Sequence, residues 1–414
     1  MNRILLLSFT LLFSTASWAQ ISLAEYRDSV YKYSNSIKDA VFVVEQSREQ
    51  MKMAKTDFLP EVSASGSFTT LFRRPEGGDL WNFTLGPRIE QLIYGGGIVR
   101  NAYKQADNNY RAALWGEAAA ILDMRYEADY AYWLLSAMKL YVAATEEYVG
   151  IIKSLYGVVR ERFQEGYVAK GDLLQVETRL SDAEYSLLAI KNNYDVALHR
   201  FNNLSGREEG LDVELQNSII DSIPMPRRIG LEEMFDRRPD VNFAELDIVS
   251  AKYGVKIARA AYNPQIGVEV GGSWQTYSPN NGGRTYLDGA MVLSLDVPIF
   301  HWGERKRAVA MARAEVGRME NRLDEVCGDA AQFEADDWSR LSSSYAQMQS
   351  SLHNLEIAGE NLSISTYSYS EGKATVLDVL QAQISWIQIY TNAITARFDY
   401  AVAVSAYMRT TAAD

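Results

Sequence analysis

Apolar and polar positions along this chain follow two periods, and each period occurs in two separated blocks. In 61–73, Val62, Ala64, Phe68 and Phe72 alternate with Ser63, Ser65, Ser67, Thr69 and Arg73. In 80–93, Trp81, Phe83, Leu85, Ile89 and Ile93 oppose Asn82, Thr84, Arg88 and Glu90. The run 265–277 sets Ile266, Val268, Val270 and Trp274 against Gln265, Glu269, Ser273 and Gln275. A fourth run, 284–299, sets Leu287, Met291, Leu293, Leu295, Val297 and Ile299 against Asp288, Ser294 and Asp296. A two-residue period with one apolar side predicts four half-apolar strands. Such a sheet rests its apolar face on a core, or turns that face to lipid and its polar face to a lumen. The rest of the sequence offers helices too long to be compact covers, which favours lipid. Four strands cannot close a barrel, for which about eight is the practical minimum. An open edge is not tolerated in lipid. The membrane placement therefore requires a barrel shared between subunits.

The second period is helical. No proline interrupts 98–164 or 303–370, and at 1.5 Å per residue each run reaches on the order of 100 Å. Val149, Ile152, Tyr156, Val159 and Phe163 step by three and four. A stricter heptad follows through Leu173, Val176, Leu180, Ala183, Leu187, Ile190, Tyr194, Ala197, Phe201 and Leu204. It recurs, 206 residues later, through Val379, Ala382, Trp386, Ile389, Ala393, Ala396, Tyr400, Ala403, Tyr407 and Thr410. Sustained heptads imply left-handed supercoiling against neighbours. Between each long run and its heptad lies a short tip, EGYVAKGDLLQ at 165–175 and EGKATVLDVLQ at 371–381. The chain is thus a duplication. The first repeat, 20–205, reads helix, strands 61–73 and 80–93, long helix 98–164, tip 165–172 and helix 173–204. The second, 230–414, reads helix, strands 265–277 and 284–299, long helix 303–370, tip 371–378 and helix 379–411. Residues 91–100 correspond to 298–307 at an offset of 207, and 206–229 form a proline-containing connector.

Composition narrows the setting. Residues 1–19 have the positive start (Arg3), apolar core (Ile4 to Phe13) and small-x-small end (Ser17-Trp18-Ala19) of a cleaved secretory signal. The absence of a cysteine near that end argues against a lipid-modified N-terminus. With Cys327 alone, no internal disulfide forms, so stability comes from packing or oligomerisation. After the signal no apolar run of about 18 residues appears, which excludes membrane-spanning helices but not strands. A net charge of −12 argues against nucleic acid as a partner, because phosphate binding needs clustered Lys and Arg. His199, His301 and His353 are far apart and none has a metal-ligand spacing. The segment 94–100, YGGGIVR, lacks the lysine of a phosphate loop and reads as a strand-to-helix corner. No cofactor site and no catalytic constellation emerge, which leaves catalysis only through residues assembled across chains.

The duplication, Arg238-Pro239-Asp240-Val241 opening a helix that ends at Pro264, the corner 298–308 and the two tips occur in one order and spacing. Together they resemble the TolC-type outer-membrane efflux channel family over nearly the whole mature chain. The resemblance implies a mainly α fold with β: a long antiparallel coiled-coil helical barrel joined to a transmembrane β-barrel. That barrel would be twelve-stranded and shared by the three subunits of a homotrimer. It also implies a cell outer-membrane location extending into the periplasm, with lipid around the barrel. An inner-membrane pump and a periplasmic adaptor (a membrane fusion protein) would dock at the tips, where Gly166, Gly171, Gly372 and Thr375 lie. The chain would then be the exit duct of a tripartite efflux or type I secretion system, passing substrate unchanged and needing no cofactor or metal.

The resemblance also marks a periplasmic gate. Asp378 matches a constricting aspartate, while Gln381 stands at the second acidic position one turn on. Tyr369 matches a tyrosine that ties neighbouring coils, and Asp172 its partner on the other hairpin. Ala374 stands where some members carry a tethering arginine. Local roles compete at the same residues. Asp172 and Asp378 are first-turn acids that suit a helix dipole, Thr375 and Asp378 have capping-box spacing, and Gly166 and Gly372 can end helices. Two other functions fit parts of the pattern: a porin-like passive diffusion channel acting without a pump, and a periplasmic coiled-coil adaptor. The adaptor would carry one hairpin and a soluble β domain.

Overall fold

The computed structural model describes residues 20–73, 80–276 and 286–413. The expected signal, 1–19, and the two Gly-Gly turns after β1 and β3 lie outside these residues. The chain runs α1 (Leu23–Tyr33), α2 (Asn35–Thr56), β1 (Glu61–Thr70), β2 (Trp81–Tyr94), α3 (Ile98–Gln164) and α4 (Lys170–Ser205). It continues with α5 (Leu231–Arg237), α6 (Pro239–Ala260), β3 (Gln265–Gln275), β4 (Tyr286–Asp296), α7 (Glu304–Ser370) and α8 (Val376–Thr411). The duplication is one of whole elements, since α3 and α7 each have 67 residues and α4 and α8 each have 36. Contacts among the described residues divide the chain into two units, one within 35–122, 229–335 and 410–413, the other within 20–34, 123–228 and 336–409.

The first of these units carries a four-stranded antiparallel sheet in the order β1-β2-β3-β4. Residues directly opposite across an antiparallel pair share a face. Val62, Ile89, Val270 and Met291 line up on one face, and Glu61, Glu90 and Glu269 on the other. On the polar face Arg88 joins two of these acids, at 3.0 Å from Glu90 and 3.2 Å from Glu269. The apolar face is uncovered: Val62 and Met291 are each 72% exposed. β1 stops at Thr70 and β4 at Asp296, short of the expected 73 and 299. Asp296 is already opposite Gln265, the first residue of β3, and Pro264 before it has no N–H with which to extend the ladder.

Helices in the same unit are tied by side chains to backbone. Asn108, 5% exposed, donates to the Leu246 carbonyl at 2.7 Å, and Gln105 to that of Ser250 at 3.0 Å. Arg238 forks onto Asp240 at 2.9 and 2.5 Å and donates to the Thr410 carbonyl at 2.8 Å. The motif that opens α6 therefore also holds the end of α8.

The corner after β4 corrects the expected repeat offset. The bonds Ile98 N–H to Gly95 O and Asn101 N–H to Gly97 O recur as Glu304 N–H to His301 O and Arg307 N–H to Gly303 O, an offset of 206 rather than 207. Matching letters had aligned Gly303 with Gly96, but the backbone needs two consecutive left-handed residues. These are Gly96 and Gly97 (φ 62° and 100°) in the first copy, and Trp302 and Gly303 (φ 47° and 80°) in the second. At Gly96 a Cβ would lie 2.6 Å from the Asn263 Cβ, so glycine is required there. Trp302 is 88% exposed and meets the Phe300 ring at 4.9 Å.

In the other unit the heptads set the packing. Every heptad position of α4 and α8 named above that lies in this unit is buried or half-buried. One core cluster draws Ile152, Leu155 and Val159 from α3, Val176 and Ala183 from α4, Tyr369 from α7, and Val376, Val379 and Leu380 from α8. At the other end of this core, α1 starts with a capping box between Ser22 and Glu25. The Tyr26 ring stacks on Phe201 at 3.9 Å, and Arg27 forks onto the buried Asp129 at 2.5 and 2.6 Å. The connector lies along these helices, with Val213 and Ile219 buried and the Ile219 N–H donating to the Ser136 hydroxyl at 3.0 Å.

Candidate functional site: the two hairpin tips

Both long helices end in the same way. At the first tip Tyr167 N–H donates to Arg162 O (2.8 Å) and Gly166 N–H to Phe163 O (3.0 Å). At the second, Lys373 N–H donates to Ser368 O (2.8 Å) and Gly372 N–H to Tyr369 O (3.0 Å). These are paired Schellman closures, which need a left-handed residue just past the helix. Gly166 and Gly372 supply it, at φ 80° and 73°. Gly171 has no such requirement; it is the second residue of α4 and lies outside the left-handed region.

The return helices begin differently. Thr375 and Asp378 form a reciprocal capping box: the Thr375 N–H and hydroxyl each donate to Asp378 Oδ2 at 2.8 Å, and the Asp378 N–H returns to the hydroxyl at 3.3 Å. The backbone bond from Thr375, then its hydroxyl, hold the exposed Asp378 carboxyl below the usual carboxylate range. In the first copy Ala169 occupies the cap position and has no side-chain bond to give. Asp172 is half-buried, and among the described residues its carboxylate has no hydrogen-bond or ion-pair partner. Gln381 and its repeat twin Gln175 line one groove between α4 and α8, together with Leu377, Leu380, Arg179 and Asp182.

Tyr369 is 6% exposed, inside the core cluster, and its hydroxyl has no hydrogen-bond partner. Within one chain it therefore does not bond Asp172. The structure brings a different residue to it. The Arg162 guanidinium lies 4.7 Å from the Tyr369 ring centroid. Its Nη1 donates to Tyr369 O at 3.4 Å and its Nη2 to Ser370 O at 3.3 Å. Sequence reasoning passed over Arg162; the available signal was a basic residue in the last turn of α3. Ala374, at the position of the expected tether, is half-buried against the same cluster. The tips thus offer carboxylate, amide and guanidinium groups suited to electrostatic and hydrogen-bonded closure.

The sequence profile of the family described as Outer membrane efflux protein matches residues 28–207 and 230–411, which takes in both repeats and leaves out the connector. The chain belongs to the outer membrane efflux protein family. Outer membrane efflux protein BepC of Brucella suis is 21% identical over 409 residues, covering 98% of this chain and 88% of BepC. The fold is similar to that of CusC, whose crystal structures concern transmembrane channel formation, with a TM-score of 0.82 at 17% identity, covering 96% of this chain and 93% of CusC. It is likewise similar to the Campylobacter jejuni outer membrane channel CmeC, with a TM-score of 0.81 at 19% identity, covering 94% and 85%. An outer membrane efflux protein must meet lipid with some apolar surface. Among the described residues no helix is long and apolar enough to cross a membrane.

Proposed function

We propose that the chain is the outer-membrane exit duct of a tripartite efflux or type I secretion system. Three copies would contribute four strands each to one closed barrel, and the paired hairpins would extend into the periplasm. The observation that supports this reading is a sheet with an apolar face open to solvent and, among the described residues, two unpaired edge strands, β1 and β4. Edges of that kind are not tolerated in lipid unless another strand pairs with them. The strands, 10 to 14 residues long, reach or exceed the roughly 9–11 residues that a tilted strand needs to cross a bilayer. Substrate passes without chemical conversion, and Asp378, Gln381, Tyr369 and Asp172 set the resistance at the closed end. A periplasmic adaptor with its inner-membrane pump meets the tips at Gly166, Gly171, Gly372 and Thr375.

The deciding experiment isolates the protein from outer membranes after mild cross-linking. Recovery as a trimer together with an adaptor and a pump, and loss of tolerance to toxic compounds on deletion, are the expected results. A trimer without those partners, with unchanged tolerance and impaired nutrient uptake, would replace the duct by a porin.

A further inference from the structure

Arg162 belongs to one tip by its backbone and to the other by its side chain. Its carbonyl accepts the Tyr167 N–H within the first Schellman closure. Its guanidinium covers the Tyr369 ring and donates to the carbonyls of Tyr369 and Ser370, the last two residues of α7. A helix C-terminus carries partial negative charge on just such carbonyls, and a cation placed there is favourable. A planar guanidinium stacks flat on an aromatic face and keeps its in-plane N–H groups free to donate at the rim, a geometry a compact ammonium matches less well.

The contact is also one-way. By the repeat, the twin of Arg162 is Ser368 and the twin of Tyr369 is Phe163, so the second tip returns no equivalent hold. An architectural contact imposed by the duplication would occur in both copies. The ring is gripped by its face while its hydroxyl stays unpaired, so the hydroxyl is not what holds it. We propose that Arg162 is a positioning residue that locks the second hairpin to the first within each chain, keeping Tyr369 and the start of α8 in the closed arrangement. The inference rests on the tips being the closed end of an exit duct.

The test uses the full-length protein with Arg162→Gln, Arg162→Lys and Tyr369→Phe. Amide hydrogen exchange at Glu371, Gly372 and Lys373 reports the lock whether or not the protein conducts. Arg162→Gln is expected to speed exchange there about fivefold to tenfold, the scale of one cation–π contact plus one charge at a helix end. Arg162→Lys should fall between Gln and wild type, and Tyr369→Phe should match wild type. In planar bilayers Arg162→Gln should raise single-channel conductance in the same order of variants. Unchanged exchange in Arg162→Gln overturns the lock, as does loosening by Tyr369→Phe equal to that by Arg162→Gln. If exchange follows the expected order but no variant, wild type included, forms channels, the lock stands and the duct reading fails.

Discussion

Alanine at Gly372 and alanine at Gly171 should move the two tips in opposite directions. Gly372 has φ 73°, and a Cβ there would meet nothing within 4 Å. The cost of alanine is therefore backbone alone, about 1–2 kcal/mol for an L-residue held left-handed. Stiffening of the unfolded chain returns about 0.4–1 kcal/mol, leaving a net loss near 1 kcal/mol. Gly171 likewise meets nothing within 4 Å but sits in the first turn of α4. Alanine exceeds glycine by up to about 1 kcal/mol inside a helix and by less in its first turn, so a gain near 0.5 kcal/mol is expected. Local amide exchange reads both, since 1.4 kcal/mol is tenfold. The Gly372 and Lys373 amides should exchange about fivefold faster in Gly372→Ala, and the Asp172 amide about twofold slower in Gly171→Ala. Gly166→Ala should behave like Gly372→Ala at the Tyr167 amide. Faster exchange in Gly171→Ala, or slower exchange in Gly372→Ala, refutes the backbone reasoning. A second arm addresses function. Nothing within the chain demands glycine at 171, and if the proposed adaptor docks here, a small residue would leave it room. Gly171→Ala should then lower adaptor recovery and drug tolerance despite a firmer helix; unchanged recovery removes Gly171 from the docking surface.

Two further substitutions separate local from functional roles. In Asp378→Asn the side-chain oxygen can still accept from Thr375, so the cap survives and only the charge is lost; larger conductance or weaker divalent-cation block is expected in planar bilayers, and no change in either would remove Asp378 from the constriction. Because the Thr375 bonds lower its pKa, the charge and any block it causes should persist as pH falls through about 4, the ordinary aspartate value, and disappear only below. At the corner, Trp302→Gly removes the strain at φ 47° whereas Trp302→Ala keeps it, so the glycine variant should be the more stable of the two by about 1 kcal/mol in thermal unfolding; the reverse order would refute the strain.

Elements with a sustained period were legible in the sequence. Alternation through Val62 to Thr69 or Ile266 to Gln275 identifies a strand and its two faces, because a one-residue slip would exchange them. The heptads in α4 and α8 identified their packed stripe for the same reason. Strand ends were less legible, since apolar alternation continues through Val297 and Ile299 after the ladder has lost its partner. Matching glycine with glycine shifts the corner by one residue, because the backbone places Trp302 in a glycine conformation. At the tips the closures at Gly166 and Gly372 and the cap of Thr375 with Asp378 are local, spanning at most a few residues, and could be read. Arg162 and Tyr369 are 207 residues apart and share no repeat position, so no spacing rule connects them.

The two copies agree along the packed coils and differ around the tips. Helix lengths and heptads are duplicated because each buried position in one coil is constrained by its neighbours. Gly166 and Gly372 are exposed, and a Cβ at either would touch nothing, so packing does not set the residue there. The differences fall in one direction. The first copy has Ala169 at its cap and Phe163 where the second has Thr375 and Tyr369, and it supplies Arg162. The second copy has the reciprocal cap, the gripped ring and the two carbonyls that receive the guanidinium. A hairpin that is independently capped keeps its helix intact when its outside hold is released, and so can shift as a rigid piece. A hairpin that supplies the hold has no such need. If the tips close the proposed duct, this division places the moving part of the closure in the second hairpin and the fixed part in the first.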